Sequence, residues 1–367
     1  MAVYPLKETK KAPQSQTKAI QWLKENLLSS TSNVLLTLTA LYLIYLILPP
    51  ILNWTIFDAN FDLTADNDSC GREGACWAFI YDNFKMFIYG FYPQEELWRI
   101  DTMFGLIVVM IMFGSWIKKS QYRMHYIIGA FLVYPVAAFF LLHGGLLGLE
   151  VVGTDKWGGL TLTIVVAAVG IVASFPLGVL FALGRQSKMR IVKFISVVFI
   201  EFVRGVPLIT ILFMASVILP LFFSVGMDFD KLLRALIGIT LFQTAYIAEV
   251  IRGGLQAIPK GQYEAADASG LNFVQKTTLI ILPQALKISI PNIVGSFIAL
   301  FKDTTLILII GLYDMLAIVG AATSNSSWLG RNSEGYVFVA FVMWVILYSM
   351  SRYSKKLEVR FSTEHKN

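Results

Sequence analysis

Apolar runs long enough to cross a bilayer follow one another along the chain, and they constrain its fold more than any other feature. A transmembrane helix needs about 20 predominantly apolar residues. The runs are Val34–Leu52, Met103–Ile117, Tyr126–Leu142, Gly159–Leu183, Ile191–Phe223, Leu232–Ile251, Ala285–Gly311 and Tyr336–Met350. Because 56% of the residues are hydrophobic and only 15% are charged, an ordinary soluble domain is excluded. The sequence predicts an all-α membrane protein with about eight transmembrane helices.

Charged residues between the runs alternate in sign from loop to loop. Bases precede the first run and follow the last, whereas acids dominate the loop after the first run. Lys and Arg are retained on the cytoplasmic side of membrane proteins. The alternation therefore predicts eight spans with both termini in the cytoplasm, and the net charge of +6 does not indicate nucleic-acid binding. The terminal bases are Lys7, Lys10, Lys11, Lys18, Lys24, Arg352, Lys355, Lys356 and Arg360.

The organisation divides near the pair Gly158-Gly159. Residues 1–158 supply three spans and a large external loop, residues 53–101, and residues 159–367 supply five spans. Within that loop the aromatic stretch Trp77–Tyr89 predicts a helix that lies at the outer membrane interface.

The chain has two cysteines, Cys70 and Cys76, and both lie in the acidic loop. A metal site normally needs more ligands than these, so we predict neither a metal site nor a catalytic centre. If the loop lies outside the cytoplasm, a local disulfide is favoured, and otherwise the thiols are free. The sequence has no Walker A pattern. No cofactor is therefore expected in this chain, and any use of ATP must come from another chain.

Between the sixth and seventh runs, the segment Pro259–Pro283 is too polar to cross a bilayer. Residues that typically start and end helices divide this segment into two predicted short helices, which lie at an angle to each other. The first covers about Lys260–Ala268, and Gly270 then takes the place of a left-handed cap. Asn272 with Gln275 three residues later predicts a capping box that starts the second helix, and Pro283 closes that helix.

Several charged residues interrupt otherwise apolar runs, at a cost of about 2.5–3.5 kcal/mol each on insertion scales. Such residues usually face a protein interior or a wet cavity. Glu201 and Arg204 are three residues apart, which favours a structural ion pair on one helix face. Arg252 stands in the same relation to Glu249 and is also interpreted as structural. For Glu249, a structural role and a role in the substrate path stay equally open.

The quartet Lys302-Asp303-Thr304-Thr305 marks a second kind of interruption. As one helix, residues 285–322 would be about 57 Å long, nearly twice the hydrocarbon thickness. The stretch must therefore break or leave the membrane, and the polar quartet is the expected break. Asp303 is placed to accept a substrate ammonium group, while Thr304 and Thr305 offer hydroxyls. The alternative is a purely structural kink.

Four motifs occur in the order found in one group of transporters. Glu264-Ala-Ala, Gly270 six residues later, and Ile-Leu282-Pro283 resemble the EAA loop of ABC importer permeases. The stretches 201–209, 244–254 and 301–306 resemble the permeases for polar amino acids, the histidine/glutamine/arginine group. This resemblance covers about residues 159–355. The front segment, with Gly-Ala-Cys76-Trp-Ala-Phe, looks like the larger eight-span permeases of general L-amino acid importers.

The resemblance implies a type I importer core of five helices preceded by three extra helices, in a permease subunit of the bacterial inner membrane that is not itself an enzyme. It implies two ABC ATPase subunits that use ATP and Mg²⁺, a second homologous permease and a periplasmic amino-acid-binding protein. The substrate is then an amino acid. The residues expected to couple to the ATPase are Tyr263, Glu264, Ala265, Ala266, Asp267, Gly270, Leu282 and Pro283.

Two other interpretations stay open. The chain could be the structural half of a heterodimeric permease whose partner holds the substrate. It could also be a secondary transporter that works without ATP, in which case the purified chain alone would be active.

Overall fold

The computed structural model describes residues 19–117, 120–146, 148–222 and 229–362, and these are almost entirely helical. They divide after Cys76 into two compact units. The predicted domain boundary near Gly158 differs from this division, and it stays a prediction about the permease core. Some residues named in the predictions lie outside the described residues, namely Lys7, Lys10, Lys11, Lys18 and Phe223.

The first unit contains helix α1 (Ala19–Asn26) and helix α2 (Thr31–Leu52). Ser30 caps α2 by accepting a hydrogen bond from the backbone N–H of Asn33 at 3.2 Å. No residue of α2 is buried, and the span continues through a π-helical turn to Phe57. In the loop that follows, Cys70 and Cys76 are joined by a disulfide with Cα atoms 5.6 Å apart.

The second unit begins at Trp77 and is built from helices and short turns. Its α-helices are α3 (Ala78–Asp82), α4 (Phe84–Tyr89), α5 (Leu97–Trp116), α6 (Ser120–His143), α7 (Gly159–Arg185), α8 (Arg190–Gly205), α9 (Leu208–Phe213), α10 (Lys231–Gln256), α11 (Lys260–Ala268), α12 (Phe273–Gln275), α13 (Leu282–Asp303), α14 (Met315–Thr323) and α15 (Asn332–Ser362).

The described part of each predicted apolar run is largely helical. The fifth run is divided between α8, α9 and the turns after α9, and the seventh continues beyond α13 into a 3₁₀-helix. Within the described residues, six helices are long and apolar enough to cross a membrane. A seventh span is formed if Arg190–Gly205 and Leu208–Phe222 are taken together, with a bend of 107° between them. The bend follows Gly205 and precedes Pro207, which cannot continue a hydrogen-bonded helix. The remaining run lies on α6, whose apolar part is Gly129–His143.

Helices α7, α10 and α13 pack closely because small residues lie at their crossings. A Cβ atom on Gly178 of α7 would come within 2.5 Å of the Ile247 side chain of α10. A Cβ atom on Gly254 of α10 would come within 2.5 Å of the Ala285 carbonyl oxygen of α13. Small residues allow backbones to approach in this way, which increases van der Waals contact between spans.

The seventh run does not unwind at the polar quartet, so that part of the prediction is wrong. At Thr304 the α-helical hydrogen bonding of α13 gives way to a 3₁₀-helix, Thr304–Ile310. The helical chain ends instead at Gly311, whose φ of +72° is left-handed. After this turn, α14 starts at Met315. The break therefore lies about two turns beyond the quartet, where a glycine permits the reversal.

The aromatic stretch Trp77–Tyr89 is also different from the prediction of one interfacial helix. It forms α3 and α4, separated at Asn83. Phe79 and Phe87 are fully buried, and their rings lie 6.1 Å apart at a near-perpendicular angle. The Trp328 ring lies 5.8 Å from that of Phe79. These aromatic rings therefore pack inside the protein, and Trp328 from the loop after α14 contacts Phe79.

Candidate functional site

The segment Pro259–Pro283, here called the elbow, connects the two long spans α10 and α13. Its first arm is α11, which covers the predicted range Lys260–Ala268. Gly270 has φ of +71°, a conformation that glycine adopts without steric cost. Asn272 and Gln275 form a reciprocal capping box, with hydrogen bonds of 2.9 and 3.1 Å. These two devices set the angle between the arms.

The second arm differs from the prediction at its far end. After α12, residues Lys276–Ile281 form π-helical turns, and α13 starts at Leu282 without a break. Pro283 therefore lies in the first turn of α13 and does not close the second arm. Proline has no backbone N–H to bond back into this continuous helix, and the π-helical turns directly before it replace the ordinary α-helical hydrogen bonding there.

One face of the elbow is anchored and the other is exposed. Ala266, Thr277 and Ile281 are buried, and Tyr263 donates a hydrogen bond of 3.3 Å to the Leu255 carbonyl of α10. Lys276 Nζ lies 2.5 Å from Asp267 Oδ1, which joins the two arms. The elbow is thus braced against the membrane helices.

The exposed face carries Glu264, Ala265, Phe273 and Val274. The two apolar side chains are 68% and 64% exposed, which is unusual in such a polar segment. Phe273 and Val274 were not predicted as site residues. The signal that could have identified them is the pair of apolar residues directly after the capping residue Asn272.

A second group of charged side chains, here called the arginine–glutamate cluster, comes from three different helices. Arg185 of α7 lies 2.7 Å from Glu201 of α8 and 3.4 Å from Glu249 of α10. Glu249 also contacts Arg252 at 2.5 Å and Arg204 at 3.6 Å. The five residues carry one net positive charge.

The cluster corrects the sequence-based pairing of Glu201 with Arg204. Each of these residues pairs with another helix, Glu201 with α7 and Arg204 with α10. Arg204 also lies over the Tyr246 ring at 5.7 Å. Sequence reasoning did not predict Arg185 as a member of this cluster. Glu249 contacts three arginines, which favours the structural interpretation of this residue.

The polar quartet offers fewer free groups than its sequence indicates. Thr304 is fully buried and donates to the Phe301 carbonyl at 2.8 Å, while Thr305 donates to the Lys302 carbonyl at 2.9 Å. Both hydroxyls therefore bond to their own helix. Lys302 is exposed and Asp303 is half-buried. Asp303 is the acid of this quartet that a ligand could use.

The described residues contain no group of three or more His, Cys, Asp or Glu side chains placed to hold a metal ion. The described residues place charged groups inside the spans and a braced, partly apolar elbow at the end of two of them.

Comparison with known proteins agrees with this arrangement. The model of the family described as the inner membrane component of binding-protein-dependent transport systems matches residues 174–363. The chain is 50% identical over 354 residues to the inner membrane amino-acid ABC transporter permease protein YhdY of Escherichia coli (strain K12), covering 96% of this chain and 95% of that protein. It is 41% identical over 426 aligned residues to the glutamate/glutamine/aspartate/asparagine transport system permease protein BztC of Rhodobacter capsulatus, covering 97% and 96%.

Among solved structures, the crystal structure of an amino acid ABC transporter with histidines is similar, with a TM-score of 0.50 and 27% identity. The match covers 55% of this chain and 92% of that one. The predicted type I permease fold is thereby confirmed. The chain therefore belongs to the family of inner membrane components of binding-protein-dependent transport systems, as a multi-pass amino-acid ABC transporter permease.

Proposed function

We propose that this permease moves an amino acid from a periplasmic binding protein to the cytoplasm, driven by ATP hydrolysis on two separate ATPase subunits. A second, homologous permease completes the pathway. Both termini and the elbow face the cytoplasm, where the ATPases bind ATP and Mg²⁺. The chain catalyses no covalent step, and its part is alternating access, in which its helices open the pathway to one side and then to the other.

The exposed face of the elbow is the observation that carries this proposal. Phe273 and Val274 present apolar surface beside the acid Glu264, at the end of the two spans α10 and α13. Such a surface suits insertion into a cleft of another protein. The Asp267–Lys276 pair and the buried Ala266 hold the arms together. Because the elbow is held rigid in this way, motion of the ATPase would displace the ends of α10 and α13 together.

Two features support an amino-acid substrate. The relatives YhdY and BztC are named as amino-acid permeases. Asp303 is a half-buried acid within a long apolar span, and it is placed to accept the ammonium group that all amino acids share.

A second candidate is a structural half whose partner permease holds the substrate. The hydroxyls of Thr304 and Thr305 favour it, since both are occupied by carbonyls of their own helix. Replacing Asp303 here, and the corresponding residue of the partner in a separate sample, distinguishes the two. Loss of uptake only from the partner's replacement would show that the partner holds the substrate.

Coupling is tested in proteoliposomes that contain the permeases and ATPases, with binding protein added. Gly270→Val forces a branched residue into a left-handed conformation, at a cost of about 1–2 kcal/mol, whereas Gly270→Asn is the matched control that tolerates it. A Cβ at Gly270 meets nothing within 4 Å, so only the backbone is perturbed. We expect the Val variant to lose the stimulation of ATP hydrolysis by substrate-loaded binding protein. Normal stimulation in the Val variant would refute the coupling role of the elbow.

Proteoliposomes that contain the purified chain alone test the ATP-independent alternative. If the purified chain alone transports an amino acid down its gradient, the chain is a secondary transporter and the proposal fails. Cysteines placed at Phe273 and Val274 should crosslink to the ATPase, while a cysteine at Asp68, in the exposed acidic loop, should not.

A further inference from the structure

A large cavity lies between the helix pair α5–α6 and the helices α7 and α10. Its volume is about 1050 Å³. Tyr134 of α6 donates a hydrogen bond of 3.1 Å to the Met103 carbonyl, which holds α6 against α5 on one wall. Ala168 and Val172 of α7 and Leu236 of α10 form the opposite wall. The cavity reaches the upper end of the range of about 300–1,000 Å³ that is usual for small-molecule sites.

The cavity opens sideways through the outer surface of the helices. Met103 and Leu142, which line its inner part, are buried. Ile111 and Phe139, which also line it, are 67% and 46% exposed. These helices are spans, so their outer surface faces hydrocarbon. A molecule would thus enter the cavity from the bilayer.

Polar groups are collected at one end of the cavity, where α6 ends and α10 begins. There the lining residues are His143, Thr154, Asp155, Trp157 and Asp230. Thr154 donates a hydrogen bond to the Asp230 carboxylate. Trp157 is 2% exposed. Within the described part of the chain, Trp157 Nε1 and His143 Nδ1 are buried without a hydrogen-bond partner. Buried polar nitrogens are normally paired, so a ligand is expected at this end.

We propose that this cavity is a binding site for a zwitterionic diacyl phospholipid. Its acyl chains lie between α6 and α7, and its glycerol ester oxygens accept hydrogen bonds from Trp157 and His143. This end of the spans is the one opposite the elbow, so the lipid comes from that leaflet. Trp side chains are typical of this depth in a membrane.

The charges at the polar end select the headgroup. Asp155 and Asp230 are the carboxylates that line the cavity. They attract the ammonium group of phosphatidylethanolamine and repel an anionic headgroup such as that of phosphatidylglycerol.

The test uses the full-length chain, first in membranes of the cells that express it and then in nanodiscs of phosphatidylethanolamine and phosphatidylglycerol. The probes are the two lipids, each with a photoreactive diazirine in one acyl chain, and the labelled peptides are mapped by mass spectrometry. We expect the phosphatidylethanolamine probe to label the peptides of α6 and α7 that line the cavity. Ala168→Trp, which fills the cavity, should reduce this labelling about tenfold, the equivalent of about 1.4 kcal/mol of binding free energy.

The matched control is Leu180→Trp, which adds the same ring to α7 at an exposed position outside the cavity. It should leave the labelling unchanged. Val172→Phe is an independent filling variant in case Ala168→Trp does not fold, and both must elute as the wild type does on size exclusion. Asp155→Asn should reduce the preference for phosphatidylethanolamine over phosphatidylglycerol.

Three results would overturn the proposal. The first is equal labelling in the Ala168→Trp and Leu180→Trp variants. The second is equal labelling by the two lipid probes, or a free fatty acid that, when added as a competitor, reduces the labelling as much as added phosphatidylethanolamine does. The third is labelling in nanodiscs that is absent in native membranes, because another protein would then cover the cavity.

Discussion

Gly254 of α10 lies directly against Ser289 of α13, so close that a Cβ atom on Gly254 would overlap Ser289 Oγ. Ser289 in turn donates a hydrogen bond of 3.3 Å to the Val250 carbonyl of α10. The neighbouring Gly253 is exposed, and a Cβ atom there meets nothing within 4 Å. Gly254 therefore leaves no room for a side chain, whereas the adjacent Gly253 does.

Gly254→Ala is expected to destabilise the protein, because overpacking a close helix crossing costs about 1–3 kcal/mol. Gly253→Ala is the control and should stabilise it by up to about 1 kcal/mol through helix propensity. Thermal unfolding of both variants in detergent micelles measures the difference. Equal melting temperatures would show that the crossing of α10 and α13 is looser than described.

Glu249→Gln is expected to destabilise the arginine–glutamate cluster more than Glu201→Gln does. Glu249 contacts three arginines and its side chain is 21% exposed, whereas Glu201 contacts Arg185 and is 56% exposed. Hydrogen bonds to charged groups are worth about 1.5–3 kcal/mol, and exposed pairs about 0–1 kcal/mol. The melting temperatures of the two variants decide the order, and a larger loss from Glu201→Gln would contradict it.

Asp303→Asn is expected to reduce amino-acid uptake while the complex still assembles. Losing one charge-assisted hydrogen bond of about 1.5–3 kcal/mol corresponds to about a ten- to hundredfold loss in rate. Uptake by proteoliposomes and co-purification of the ATPase are measured together. Asp68→Asn in the exposed acidic loop is the control. Unchanged uptake in the Asp303 variant would remove this residue from the substrate path.

Asp314 is expected to make stability depend on pH. It caps α14 outside the spans, and burial raises the pKa of its carboxyl from 3.8 to about 6. Below about pH 4 the carboxyl is protonated in both the folded and the unfolded state, and burying it is then least costly. This contribution to stability is lost as the pH rises through about 6, where the buried carboxyl has to ionise. This pKa shift corresponds to a difference of about 3 kcal/mol in the free energy of unfolding between low and high pH. Asp314→Asn keeps the capping oxygen, so it should raise the melting temperature near pH 8 and leave it unchanged near pH 4. A lower melting temperature near pH 8 would contradict this.

The features that the sequence predicted well depend on short-range patterns. Gly270 and the capping box of Asn272 with Gln275 are read within a few residues, and both have the expected conformation. The eight apolar runs were recognised from their length and their apolar composition. These patterns need no knowledge of how helices pack.

The features that the sequence did not predict depend on contacts between helices. Arg185 and Glu249 are 64 residues apart, and no local spacing indicates that they meet. The pairing of Glu201 with Arg204 satisfied the i,i+3 rule, yet a nearby guanidinium on α7 binds Glu201 instead. The burial of Phe79 likewise depends on contact with Trp328, which is far from it in the sequence. Tertiary contacts therefore override local preference at these positions.

Helices α3 and α4 precede the predicted five-span core, but they are built into its packing. Thr161 of α7 donates a hydrogen bond of 2.8 Å to the Ile88 carbonyl, and Trp328 donates one of 2.7 Å to Asp82. A shortened transporter that started at Gly159 would lose both acceptors and would expose the aromatic surface that Phe79 and Phe87 now cover. Any minimal version of this permease therefore has to keep residues 78–89 or redesign the face beneath them.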